Sequence, residues 1–99
     1  MASEEDPGLV IDWIGGNCPV QSEGHVDGEA FYFRARGNRW SMSIGGTQIL
    51  TNPSWHHEEP YGDTDFAAGW MSEEEALAFL KKAVGLWRNR EVDAPGLKV

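Results

Sequence analysis

Residues 20–44 read VQSEGHV, then Asp27-Gly28, then EAFYFRAR, then Gly37-Asn38, then RWSMSI. Both dipeptides are two-residue turn signals between runs rich in β-branched and aromatic residues. Asp-Gly tolerates the positive φ that a type I′ turn demands, and Gly-Asn suits type II′ or I′. The reading is three antiparallel strands, Val20–Val26, Glu29–Arg36 and Arg39–Ile44. The first turn sets Gly24 opposite Phe31, Ser22 opposite Phe33 and Val20 opposite Ala35. The second sets Ala35 opposite Trp40, Phe33 opposite Met42 and Phe31 opposite Ile44. Directly opposed side chains share a face. One face therefore gathers Val20, Val26, Phe31, Phe33, Ala35, Trp40, Met42 and Ile44. The other gathers Gln21, Glu23, His25, Tyr32, Arg34, Arg36, Arg39, Ser41 and Ser43. A one-residue slip in either hairpin would destroy that separation.

Outward from the meander, residues 9–14 (LVIDWI) form another strand-like run, closed by Gly15-Gly16-Asn17. Gly45-Gly46 ends the third meander strand, and Thr47–Leu50 is read as a fourth short strand or a loop-back. Residues 51–70 hold two Pro, two Gly, four acids, two His and four aromatics without periodicity, which reads as a long loop pinned by its aromatics. Ser72-Glu73-Glu74-Glu75 is a capping box, so a helix is expected from about 73 to 89. Leu77, Leu80, Val84 and Trp87, flanked by Ala76 and Ala83, make its apolar stripe. That stripe needs an apolar partner, and the meander supplies one. The expected fold is α+β: a two-layer arrangement of an antiparallel meander of three to five strands with one C-terminal helix on one face.

Ninety-nine residues suit one domain, assigned to 9–90 between an acidic tail (1–8) and a C-terminal tail (91–99). No stretch is apolar enough to span a membrane, and the acidic start does not look like a signal peptide. The single cysteine, Cys18, fits a reducing, cytoplasmic compartment. Eight Lys/Arg against sixteen Asp/Glu give a net charge of −8. Direct nucleic-acid binding needs cations at the phosphates, so it is disfavoured.

Residue types that carry chemistry are present without the spacing that chemistry needs. Adjacent His56 and His57 point in opposite directions on an extended backbone, and no C-x-x-C or H-x-x-x-H pairing supplies further ligands. Cys18 has no Lys or Arg within residues 1–33 to lower its pKa. Neither glycine pair is followed by a phosphate-loop lysine. No catalytic residue, metal or cofactor is assigned.

The charge layout is more telling. Seven acids and no cation occupy 1–33; Arg34, Arg36 and Arg39 follow within six residues; seven acids and no cation occupy 40–80. Tyr32 with the three arginines forms a patch suited to interface anchoring, or to local neutralisation such as Arg34 pairing diagonally with Glu23. Trp55, Glu58, Glu59, Tyr61, Asp63 and Asp65 interleave aromatics with acids and suit a basic partner.

The strings IDWIGGNCPVQ (11–21), DGEAFYFRARGNRWSMSIGG (27–46), HHEEPYGD (56–63) and FAAGWMSEEEALAFLKKA (66–83) resemble small proteins encoded by phages, prophages and gene-transfer elements of proteobacteria. Some small acidic proteins from such loci are anti-CRISPRs. The resemblance implies a non-enzymatic inhibitor in the bacterial cytoplasm. It would bind a basic nucleic-acid-binding surface of a CRISPR surveillance complex and block target DNA. No functional residue carries over from it. The alternatives are a small metal-dependent phage enzyme using His56 and His57, or a virion or assembly accessory protein.

Overall fold

The structure, a computed structural model, describes residues 7–46, 52–62 and 67–98, with side chains as far as Arg90. Five strands, β1 (Leu9–Gly15), β2 (Val20–Val26), β3 (Glu29–Arg36), β4 (Arg39–Ile44) and β5 (Trp55–Pro60), form one sheet in sequence order, every pair antiparallel. A 3₁₀ turn (Ala68–Trp70) leads into helix α1 (Glu73–Lys98), which lies on one face. The architecture is the expected two-layer α+β fold.

The turn chemistry fixes the register. Asp27 and Gly28 both take positive φ, 50° and 85°, as a type I′ turn requires. Gly37 is at 65° while Asn38 stays outside that region, which fits type II′. Gly24 then pairs with Phe31, Ser22 with Phe33, Ala35 with Trp40 and Phe31 with Ile44, as read from the sequence. The inner face of β2–β4 buries Val20, Val26, Phe31, Phe33, Ala35, Trp40, Met42 and Ile44.

Strand β1 slips by one residue between Ile11 and Trp13, a bulge at Asp12. The bulge frees the Trp13 carbonyl, which accepts a hydrogen bond from the buried Ser22 hydroxyl at 2.8 Å. A hydroxyl buried on the core face is thus satisfied.

The helix starts as its sequence directs. The Glu75 N–H donates to Ser72 Oγ (3.1 Å), and the Ser72 N–H donates to Glu75 Oε1 (3.2 Å). The stripe it buries is Ala76, Leu80, Ala83, Val84 and Trp87, so Leu77 moves from stripe to half-buried rim. Phe79 reaches the core edge, stacked on Trp40 with ring centroids 5.2 Å apart. Trp40 also stacks on Phe33, and its buried indole N–H has no acceptor among the described residues. The helix runs beyond the expected end near 89 to Lys98. Of the expected tails, residues 1–6 and Val99 lie outside the described residues, as do Thr47–Leu50, while 91–98 continue α1.

One expectation is overturned. Residues 55–60 are not part of an aperiodic loop: they are edge strand β5, paired to β4 from Arg39↔Pro60 to Ile44↔Trp55. Trp55, His57 and Glu59 turn toward the helix side, and His56, Glu58 and Pro60 turn away. The pairs His-His and Glu-Glu hide this alternation, because each polarity class occurs once on either face.

Candidate functional site

Among the described residues no element covers the outer face of the sheet, and on that face β3–β5 line up half of the ten residues singled out from the sequence. Reading across the strands, one row is Gln21, Arg34, Ser41, Glu58, and the next is Glu23, Tyr32, Ser43, His56. Arg36 and Arg39 oppose each other beside the β3–β4 turn. The register therefore brings Tyr32, Arg34, Arg36, Arg39 and Glu58 into one surface, although they come from two stretches of sequence.

The polar contacts on this face are specific. Arg39 Nη1 donates to Glu58 Oε1 at 2.8 Å. His56 bridges Ser43 Oγ (2.9 Å, through Nδ1) and Glu58 Oε2 (3.4 Å, through Nε2). The Tyr32 hydroxyl donates to Gln21 Oε1 at 2.7 Å. Partial burial pushes the Tyr32 hydroxyl pKa up; Arg34 opposes that shift and Glu23 adds to it. The suggested Arg34–Glu23 ion pair does not form. Neither Arg34 nor Arg36 has an acceptor among the described residues, and the Arg34 Nε is buried without one.

The acid–aromatic group splits across two faces and is largely neutralised. Glu59 lies on the helix side, held by Lys82 Nζ and His57 Nε2, each at 2.9 Å. His57 sits between the rings of Trp40 and Trp55 (5.7 and 5.8 Å). Tyr61 meets Phe79 edge-on at 5.7 Å and donates its hydroxyl to Glu75 Oε2 at 2.9 Å. Asp63 and Asp65 lie outside the described residues. Glu58 and Glu59 are thus cross-strand and strand-to-helix clamps, not free loop carboxylates. His56 and His57 face opposite sides, and among the described residues no three His, Cys, Asp or Glu side chains converge on one point.

Two further exposed acid–aromatic groups, missed in the sequence, come from β1 and from the start of α1. Exposed Asp12 and Trp13 come from the β1 bulge, while exposed Trp70, Glu73 and Glu74 come from the start of α1. A Glu73 carboxylate oxygen lies 3.7 Å from where a β-carbon on Gly15 would stand, at the end of β1. Asp12, Glu73 and Glu74 form no ion pair or hydrogen bond with another described side chain. Trp13 and Trp70 come from distant stretches of the sequence, so no local pattern marks them.

Among the described residues no helix is long and apolar enough to cross a membrane. The chain matches no protein-family description, no curated protein and no solved structure.

Proposed function

We propose that this chain is a non-enzymatic binding protein that fits its acidic exterior onto a basic, nucleic-acid-binding surface of another protein and so keeps nucleic acid off it. The observation that carries this reading is a set of exposed carboxylates without cation partners among the described residues, Asp12 beside exposed Trp13 on β1 and Glu73 and Glu74 just after exposed Trp70, within a chain of net charge −8. Exposed carboxylates without cation partners raise encounter rates with a basic surface and select for it. Tryptophan side chains supply the contact area that anchors an interface. The phage-type resemblance of about residues 11–87 names the partner to test first, a type I CRISPR surveillance complex, whose DNA channel is lined by basic residues.

The experiment is direct. The purified protein is mixed with surveillance complexes of several subtypes, and target-DNA affinity and co-elution are measured. Reduced DNA affinity with co-elution for one subtype supports the proposal. Unchanged DNA affinity for all of them, with no co-elution, overturns the assignment to this partner class.

A further inference from the structure

The outer face carries a feature that an acid-to-base docking reading does not use. Two guanidinium groups, Arg34 and Arg36, lie side by side on β3 without an acceptor among the described residues. Two positions apart on one strand face, they are about 7 Å from each other. Arg36 stands directly opposite Arg39, a like-charge cross-strand pair that is unfavourable by itself. Only Arg39 is relieved, by Glu58. In a chain with eight cations against sixteen acids, two neighbouring arginines without a carboxylate stand out. The buried Arg34 Nε–H adds an unmet donor, which is unfavourable until an acceptor reaches it.

Two open depressions meet at Arg34 and Ser41. One, of about 350 Å³, is bounded by Arg34, Arg36, Arg39 and Ser41. The other, of about 280 Å³, is bounded by Tyr32, Arg34, Ser41, Ser43 and His56. The first presents guanidinium forks, a hydroxyl and the Glu58 carboxylate; the second presents a phenol, hydroxyls and an imidazole. We propose that this face binds a small soluble phosphomonoester, its phosphate held by Arg34, Arg36 and Ser41 and its organic part in the Tyr32–His56 depression. Charge decides for phosphate over carboxylate. Two unpaired guanidiniums match a dianion, and a phosphate offers enough oxygens for both forks, whereas one carboxylate fills one. Net charge and cavity size decide against a polynucleotide, which the −8 molecule repels as a whole. Glu58 lines the first depression and is the opposing charge; its two oxygens are taken up by Arg39 and His56.

The test is a titration of the full chain with inorganic phosphate and with AMP at constant ionic strength, read by NMR of the arginine Nε–Hε resonances. Saturable shifts at Arg34 and Arg36, absent with chloride and at least several-fold weaker with acetate, support the proposal. AMP should bind more tightly than phosphate and shift the Tyr32 ring as well. Arg36→Gln, on an exposed side chain that leaves the fold intact, should weaken binding about tenfold. Glu58→Gln should tighten it several-fold by removing the opposing carboxylate and releasing Arg39. Three outcomes overturn the assignment: no saturable shift at either arginine, acetate as strong as phosphate, or an oligonucleotide or phosphoserine peptide far tighter than AMP at the same residues. None of these outcomes bears on Asp12, Glu73 and Glu74, so the docking reading stands or falls separately.

Discussion

Arg88 grips Asp27 with two hydrogen bonds, Nε to Oδ2 at 2.8 Å and Nη2 to Oδ1 at 2.9 Å. The pair fastens the C-terminal half of α1 to the β2–β3 turn. Asp27 therefore has two jobs, because the same residue takes the positive φ that shapes the turn. The jobs are separable. Asp27→Asn keeps a residue that tolerates this backbone and removes the charge, so it should cost about 0.5–1 kcal/mol, the size of a partly exposed ion pair. Asp27→Ala loses the pair and also strains the turn, so it should cost about 1 kcal/mol more. Arg88→Ala combined with Asp27→Asn in a double-mutant cycle, followed by urea denaturation, measures the coupling. A coupling of zero would mean that the fork contributes nothing to folding.

The meander was legible because two independent turns had to agree on one apolar face, and they did. The helix start was legible because Ser72 and Glu75 carry their own cap chemistry. Strand β5 was not, for a physical reason. An edge strand needs few apolar residues, and this one presents His57 and Glu59 to the helix side, made acceptable by ring stacking and by Lys82. Its partners are remote in sequence, so no local pattern marks it. For the site, the row Arg34, Ser41, Glu58 follows from the β3–β4 register only once β5 is known to pair with β4. The approach of Glu73 to Gly15 at the end of β1 depends on helix docking, which no spacing rule specifies.

Two glycines should respond with opposite signs to the same substitution. Gly24 lies between β1 and β3, where a β-carbon would run into the Val10 carbonyl oxygen and come within 2.9 Å of the Phe31 ring. Gly24→Ala must push strands apart, and we expect a loss of about 1–3 kcal/mol. Gly85, inside α1, has nothing within 4 Å of an added β-carbon. Gly85→Ala should therefore stabilise the protein by up to about 1 kcal/mol through helix propensity. Thermal or urea denaturation of both variants checks this, and a stabilised Gly24→Ala would show that the β1–β2 pairing is wrongly placed.

Three carboxyls tie stability to pH. Glu58 is held below the ordinary value of 4.5 by its hydrogen bond with His56 and then by Arg39. Glu59 is lowered by His57 and then Lys82, and Glu75 by the Tyr61 hydroxyl and then the Ser72 N–H. Each releases its proton more readily folded than unfolded, so unfolding takes up protons in acid. Their stabilising effect is present above about 4.5 and is lost as pH falls through the lower folded-state values. Tyr61 acts at the other end. Its pKa is raised, first by donating to Glu75, so its contribution holds below pH 10 and is lost as pH climbs through the raised value. Urea midpoints should fall from neutral to acid pH, and Glu59→Gln should flatten that fall. An unchanged acid slope in Glu59→Gln would show that the His57–Glu59–Lys82 contacts do not persist in solution.

The two groups of carboxylates should behave differently when their charges are changed. Glu58 and Glu59 are engaged by Arg39, His56, His57 and Lys82. Neutralising them should lower stability modestly and leave partner binding close to unchanged. Asp12, Glu73 and Glu74 have no such engagement, so reversing them to Lys should weaken partner binding, most at low salt. Exposed charges more than about 10 Å apart are screened at 0.1 M ionic strength, so the effect should shrink as salt rises. Glu73 and Glu74 also occupy the first turn of α1, where each acid contributes about 0.3–1 kcal/mol against the helix dipole. A melting curve for every variant therefore separates loss of fold from loss of binding, and Asp12→Lys, away from the helix, carries the cleanest signal. If Glu58→Gln and Glu59→Gln weaken binding more than Asp12→Lys while melting unchanged, the partner docks on β5 and the unpaired carboxylates are not the surface it meets.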